Sequence, residues 1–216
     1  MNITHYGHAC VLIEIGGTTA DRRVLIDPGT YSNGFEELRD LDLVLITHAH
    51  PDHLDLARTT ALLDRNPKAR IVVGADAAEG LDAYAAVRVG AEPGDRLTVG
   101  GVELHVTGGE HACIHPDLPT SRNNGYLIAG SVFHPGDAFD LPPGPVDTLF
   151  VPAGGPWMKL QEGIDFLRAV APRVAVPIHQ AGLALAHQNM HHHLLATLAP
   201  VDTEVVVLEP ATARAL

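Results

Sequence analysis

The period of apolar positions changes repeatedly along this chain, and each change marks an element. Runs rich in β-branched and apolar residues near 2–6, 9–15, 23–27 and 42–47 read as strands, with turn signals such as Gly16 and Gly17 between them. A first helix is expected from about Asp52 to Arg65, then a strand at RIVVG (70–74) and a short helix from Ala75 to Ala85. Residues 87–134 return to strands: VRVG, RLTVG, VELHVT, YLIAG and SVFH. Near 158–171, Leu160, Ile164, Leu167 and Val170 fall on one face of a helix. That helix feeds a strand, RVAVPI, which is followed by a helix over roughly 184–199 and a closing strand, EVVVL. The order, strands first and helices after, occurs twice, without a linker, a low-complexity tract or a close sequence repeat.

Composition narrows the class. At 216 residues and 46% hydrophobic content the chain can furnish one sizeable core, so a single α/β domain over 1–216 is the expectation. A formal net charge of −12 argues against a nucleic-acid partner, which calls for a basic face. It leaves an anionic small molecule open, because divalent ions would offset local negative charge. The N-terminus lacks a basic segment followed by an apolar core, and no stretch reaches the ~18 apolar residues of a membrane span, so a cytoplasmic protein without a membrane partner is expected. Two cysteines, Cys10 and Cys113, are too few for a disulfide framework and suit a reducing compartment.

The densest chemistry is THAHPDH, Thr47 to His53, directly after the apolar run LDLVLI. Neutral imidazole and carboxylate suit borderline divalent cations, whose sites need several lone pairs converging at about 2.0–2.2 Å. His48 and His50, at i and i+2, point to one side of an extended backbone. Pro51 disfavours helix just before it, so Asp52 and His53 leave in new directions. Four donors with two sets of directions suggest two neighbouring ions. A polar loop with chance histidines is the competing reading, and HxHxDH after an apolar strand is far more specific than a lone HxH.

This run resembles the signature of the metallo-β-lactamase superfamily of binuclear metallohydrolases. Three further segments match in order: GEH at Gly109 to His111, HPGD at His134 to Asp137, and PIH at Pro177 to His179. The resemblance implies a four-layer αββα sandwich in the α/β class. It implies that His48, His50 and His111 hold one ion, that Asp52, His53 and His179 hold the other, and that Asp137 bridges both. Asp27, in LIDPG, would support a metal-binding histidine from behind, where a turn or capping role is the alternative. The expected cofactors are two divalent ions, zinc first, with manganese or iron as alternatives. YGHACVLIEI, LIDPG, GEHACIHP and VPAGGPWMK look like the small stand-alone branch that includes ascorbate-phosphate lactonase-like proteins, although Ala112 and Cys113 depart from the hydroxyl residues those relatives tend to carry.

The implied activity is hydrolysis of a small, anionic metabolite (a lactone, phosphodiester, ester or amide) by water activated between the ions, with Asp52 as the catalytic carboxylate. Neither a GxSxG motif nor a catalytic cysteine setting competes with it. An iron-dependent oxidoreductase and a non-catalytic regulatory protein on the same fold stay open, as does a homo-oligomer. His8, Arg122, Asn124 and Lys159 are the candidate substrate contacts, with His115 beside Arg122 and Asn124 in the loop after His111. Arg122 could pair with an anion in a bidentate fork, and Lys159 as a point charge. His5 reads as structural, Cys10 as a buried thiol, and Cys113 as a residue that could see the metal. His187 and His191 to His193 fall on a helix, where i, i+4 spacing could bind adventitious metal and a solvated face is the plainer reading.

Overall fold

A computed structural model describes residues 1–16 and 21–216; Gly17 of the expected Gly16–Gly17 turn lies outside the described residues. Among the described residues the strands are β1 (Asn2–His5), β2 (Val11–Ile15), β3 (Arg22–Ile26), β4 (Leu43–Leu45), β5 (Arg70–Val73), β6 (Arg88–Gly90), β7 (Arg96–Val99), β8 (Val102–Glu110), β9 (Arg122–Ile128), β10 (Val132–His134), β11 (Thr148–Pro152), β12 (Val174–Ile178), β13 (Glu204–Val205) and β14 (Arg214–Ala215). Three α-helices accompany them: α1 (Leu56–Arg65), α2 (Leu160–Val170) and α3 (Leu185–Leu198).

The strands form two sheets, ordered β14-β1-β2-β3-β4-β5-β6 and β13-β12-β11-β10-β9-β8-β7. Each mixes antiparallel pairs near its start with a parallel set, β3 to β6 in the first and β10 to β13 in the second. Strand alternation sorts the side chains into layers. Leu43 and Leu45 of β4 point between the sheets and meet Tyr126, Phe150 and Val176. Val44 and Ile46 point the other way, against Leu62 and Leu63 of α1. In the second sheet Phe150 faces inward, whereas Leu149 and Val151 pack on Ile164 and Leu167 of α2 and Leu195 of α3. Helices thus cover both outer faces, and the result is the expected αββα sandwich. Strands buried on both faces read as continuous apolar runs instead of alternating ones. The Tyr126 hydroxyl, fully buried, donates to the Ile46 carbonyl at 2.8 Å and ties one sheet to the other.

Several elements differ from the sequence expectation. α1 begins at Leu56, not Asp52, because Asp55 caps it by accepting the Arg58 N–H at 3.1 Å. Residues 75–85 form turns and one 3₁₀ turn (Asp82–Tyr84), not an α-helix; Gly80 sits there at a φ of 82°. TLFVP is a fully buried strand, β11, that was not expected. EVVVL contributes only Glu204–Val205 to pairing, while Val206 and Leu208 continue as cover for the inter-sheet core. α2 carries its expected face, with Ile164 and Leu167 buried and Leu160 and Val170 packed beside them. No helix among the described residues is long and apolar enough to cross a membrane.

Candidate metal centre

Seven segments that follow strands converge at one end of the sandwich: those after β1, β3, β4, β8, β10, β11 and β12. The ends of parallel strands are where an open α/β arrangement leaves a crevice. Into it point His8, Asp27, the 48–53 loop, His111, Asp137 and His179.

Asp137 is the hub. Its Oδ2 lies 3.0 Å from His179 Nε2, 3.3 Å from His111 Nε2 and 4.0 Å from His48 Nε2, and its Oδ1 lies 3.1 Å from His53 Nε2. His48 Nε2 is 3.0 Å from His50 Nδ1, and Asp52 Oδ2 is 3.8 Å from His179 Nε2. Three overlapping groups have all their ligand atoms within 4.8 Å of one another: His48, His50 and His111; His48, His53 and Asp137; and His8, Asp52, His53 and His179. Donors bound at about 2.0–2.2 Å to one tetrahedral ion would stand roughly 3.3–3.6 Å apart, so these spacings suit cations between them.

Outer contacts orient the rings. Asp27 is fully buried; Oδ1 accepts the Thr47 backbone N–H at 2.8 Å, and Oδ2 accepts both the Thr47 hydroxyl and His53 Nδ1–H at 2.7 Å. With its proton given to Asp27, the Thr47 hydroxyl accepts His48 Nδ1–H at 3.0 Å. His111 Nδ1–H donates to the Ala112 carbonyl at 2.6 Å, and His179 Nδ1–H to the Gly154 carbonyl at 2.5 Å. Holding the proton on Nδ1 leaves the Nε2 lone pair of each of these four histidines turned inward. Nε2 of His53, His111 and His179 and Oδ1 of Asp137 are buried without a hydrogen-bond partner, because their close approaches lack hydrogen-bond geometry. Buried polar atoms left unpaired are costly, and a divalent cation is the partner this donor set fits.

Charge follows the same plan. Burial alone would raise the Asp137 carboxyl, but His53, His111 and His179 hold it well below the usual carboxylate range. Burial would lower His53, yet Asp137 and Asp27 on either side raise it well above its ordinary value. Burial first, then His53, pushes His48 well down. Burial also pushes His8 down to about 4, so it is neutral near pH 7. Asp52, which burial would raise, is brought down to about 2, chiefly by its hydrogen bond from His8.

His8, a candidate substrate contact, is buried beside the candidate ligands. Its Nε2–H donates to Asp52 Oδ2 at 3.1 Å, and its ring lies 3.9 Å from that of His179. Its carbonyl accepts the His179 N–H at 2.8 Å and His5 Nε2–H at 2.9 Å, which gives His5 its structural role. His8, Asp27 and His179 all adopt left-handed φ values, of 51°, 47° and 62°. Such strain in non-glycine residues costs about 1–3 kcal/mol each and persists only where surrounding bonds over-determine it.

Asn124, Arg122 and Lys159 are placed differently from the expectation. The loop after His111 ends at Ser121, so Arg122 and Asn124 belong to β9. Asn124 is buried and donates its amide to the Ala91 carbonyl at 3.0 Å, a bond internal to the scaffold. Arg122 is exposed at the head of β9, opposite Glu110. Lys159, also exposed, caps α2, where Glu162 accepts its backbone N–H at 2.6 Å. Cys10 is buried, as expected, and burial pushes its thiol up; Cys113 is exposed and lines a cavity with His50, His111 and His115. His187 is exposed on α3, 6.4 Å from His191 ring to ring, and His191 Nδ1–H donates to the Ala153 carbonyl at 2.6 Å.

Sequence reasoning passed over the residues that shape the turn before Asp137. Asn123 accepts the Asp137 N–H at 2.9 Å and donates to the Pro135 carbonyl at 2.9 Å. His134, fully buried, donates through Nε2 to the Ala9 carbonyl at 3.1 Å and accepts the Gly136 N–H at 3.2 Å. Trp157, in the VPAGGPWMK segment singled out in the sequence, stands with its ring edge-on to His111 and His179, at 5.8 and 5.6 Å.

Gly29 shows why LIDPG carries a glycine. A Cβ there would fall on the backbone carbonyl of Asp52, so the two loops touch main chain to main chain. Gly29→Ala is expected to cost about 1–3 kcal/mol, as overpacking does. At ~2–4 °C per kcal/mol that is a melting temperature lower by roughly 2–12 °C. Gly144→Ala, where the new Cβ meets nothing within 4 Å, is the control and should melt with the parent in a thermal scan.

Comparison with known proteins bears on the family and the fold. A family profile described as a β-lactamase superfamily domain matches residues 2–179. Protein Rv0786c of Mycobacterium tuberculosis is 42% identical over 98% of this chain and 99% of its own length. A UPF0173 metal-dependent hydrolase of Methanosarcina barkeri is 24% identical over 97% of this chain and 96% of its own. The solved structure of Igni18, a metallo hydrolase from Ignicoccus hospitalis, shares the fold with a TM-score of 0.74 at 22% identity, covering 99% of this chain and 97% of that one. With a profile spanning most of its length, a close full-length relative and the two-sheet sandwich, this chain belongs to the metallo-β-lactamase superfamily.

Proposed function

We propose that this protein is a metal-dependent hydrolase that holds two divalent cations and acts on a small molecule. The observation that carries the reading is the convergence of Nε2 of His53, His111 and His179 on the Asp137 carboxylate, buried and without hydrogen-bond partners. His48, His50 and His111 are assigned to one cation, Asp52, His53 and His179 to the other, and Asp137 to both. Two such cations lower the pKa of water and offset negative charge in the transition state. Zinc is the first expectation, given imidazole and carboxylate donors.

The residues of the chain supply position and proton handling. Asp27 and Thr47 fix the rings of His48 and His53, and the Ala112 and Gly154 carbonyls fix those of His111 and His179. Asp52 presents Oδ2 to His8, which leaves its other oxygen to orient water or to accept a proton from it. Trp157 packs beside His111 and is backed by Phe139, 5.3 Å away, which holds its ring in place.

Elemental analysis of protein purified without chelators should find about two divalent ions per chain, and ester and lactone hydrolysis should vanish on chelation and return with zinc. Trace metal only, with no uptake on titration, would sink the two-cation reading. Iron that turns over electrons in place of water would point to the oxidoreductase alternative.

A further inference from the structure

Two cavities border the metal centre, each lined by a different set of candidate ligands. One, of about 420 Å³, has His8, Asp52 and His179 at its base and Tyr31, Pro156 and Leu183 on its walls. The other, of about 230 Å³, is lined by His50 and His111, by apolar Ile114, Leu118 and Pro119, and by polar His115, Thr120 and Ser121. Neither is lined by a lysine or arginine among the described residues, and Arg122 and Lys159 line neither. Tyr31, Ile114 and Leu118 are 56%, 42% and 53% exposed, so large apolar groups ring the entrance. Exposed apolar surface gathered at a polar, cation-binding centre marks a ligand site, not a solvated rim.

Leu183 is built into that wall. Gly154 lacks a Cβ, and one placed there would meet the Leu183 side chain at 2.6 Å, so the leucine packs directly onto the loop whose carbonyl orients His179. The lining joins apolar Tyr31, Pro156 and Leu183 to the ligand donors Asp52 and His179, with Asp52 its one carboxylate and no lysine or arginine. A carboxylate or phosphate at the far end of the substrate arm, away from the proposed cations, would face Tyr31, Pro156 and Leu183 with no lysine or arginine to pair with, and unpaired charge is disfavoured beside apolar groups.

We infer that the substrate is an uncharged ester or lactone with an apolar acyl arm, which lies against Tyr31, Pro156 and Leu183 while the leaving group occupies the Ile114–Leu118 side. The inference rests on the proposed hydrolase reading and departs from the anionic metabolite expected from sequence, because the cations that expectation relied on lie outside both cavities. In the reaction the acyl C–O bond breaks, water supplies the oxygen of the new C–OH bond, and its proton goes to the departing alkoxide.

The test uses two hydroxamic acids with the same metal-binding head, hexanohydroxamic acid and the monohydroxamic acid of adipic acid, which differ in a methyl against a carboxylate at the end of the arm. Trp157 is the lone tryptophan and lies beside His111 and His179, so quenching of its fluorescence reports binding to the metal-loaded protein whether or not hydrolysis occurs. The neutral hydroxamate should bind about tenfold tighter, a single misplaced charge being worth at least that much. Leu183→Lys should shrink or reverse the ratio, and Tyr31→Lys, at a position that is 56% exposed, should do the same. Equal or tighter binding of the carboxylate, a ratio that neither lysine moves, or failure of both hydroxamates to bind would overturn the inference. Hydrolysis of an umbelliferyl hexanoate is read separately. Arm discrimination without turnover of any ester would overturn the hydrolase reading and leave the apolar site standing, whereas turnover without discrimination would overturn the site alone.

Discussion

Asp137→Ala is expected to strip both cations at once. The carboxylate stands within 3.3 Å of Nε2 of His53, His111 and His179, so no other single side chain approaches so many of the candidate ligands. Its loss leaves Asp27 as the one carboxylate hydrogen-bonded to His53 and removes the negative charge that would sit between two divalent ions. Metal content should fall from about two ions per chain to less than one, and hydrolysis by at least about a hundredfold, the upper end for losing even an outer partner of a ligand. Stability supplies a second readout. A cation bound at 100 to 1,000 times its dissociation constant stabilises the native state by about 2.7–4.1 kcal/mol, so chelation should lower the melting temperature of the parent protein. The same chelator should leave the melting temperature of Asp137→Ala unchanged. A variant that kept both ions would show that Asp137 is not their shared ligand.

How much of this was legible in the sequence depends on the range of each contact. THAHPDH packs its donors into one loop, and GEH, HPGD and PIH each follow an apolar run, so the candidate ligands could be named without knowing how the sheets meet. The sandwich itself was implied by the resemblance those motifs carry, while several of its elements were legible locally: β4 and β12 read as strands, and α2 carries its apolar face at helical spacing. β11 escaped because TLFVP is apolar on both faces and ends at a proline, leaving no period to detect. β9 was placed too late because it starts with Arg122, Asn123 and Asn124, polar residues that read as loop. Asn123 and Asn124 are buried only because distant carbonyls and N–H groups, of Pro135, Asp137 and Ala91, satisfy them. The same nonlocality hid the cavity walls. Tyr31, Leu118, Pro156 and Leu183 come from four separate loops, and nothing in their local sequence says that they face one another. α3 illustrates the opposite case: its histidines catch the eye in sequence, yet Leu195 is its one buried residue and His187 stands in solvent.

Asp52→Ala should lower kcat by about 10²- to 10⁴-fold, the range over which a positioned acid or base contributes, while the fold survives. The carboxylate is 26% exposed and belongs to a turn held by backbone bonds, His53 N–H and Leu54 N–H both donating to the His50 carbonyl at 2.9 Å, so its removal leaves the loop path in place. It does strand His8. The His8 ring is buried, and its Nε2–H has no other acceptor, so about 1–3 kcal/mol of stability should go with the carboxylate. Asp52→Asn separates the two effects, since the amide oxygen can still accept from His8 but carries no charge and takes no proton. If Asp52 works as the catalytic carboxylate, Asn should restore most of the lost stability and little of the lost rate. His187→Ala is the comparison, an exposed ring at 6.4 Å from His191 whose loss should leave kcat and melting temperature within error. Recovery of rate in Asp52→Asn would reduce Asp52 to a scaffold for His8, and equal losses in Asp52→Ala and His187→Ala would place the reaction somewhere other than the 48–53 loop.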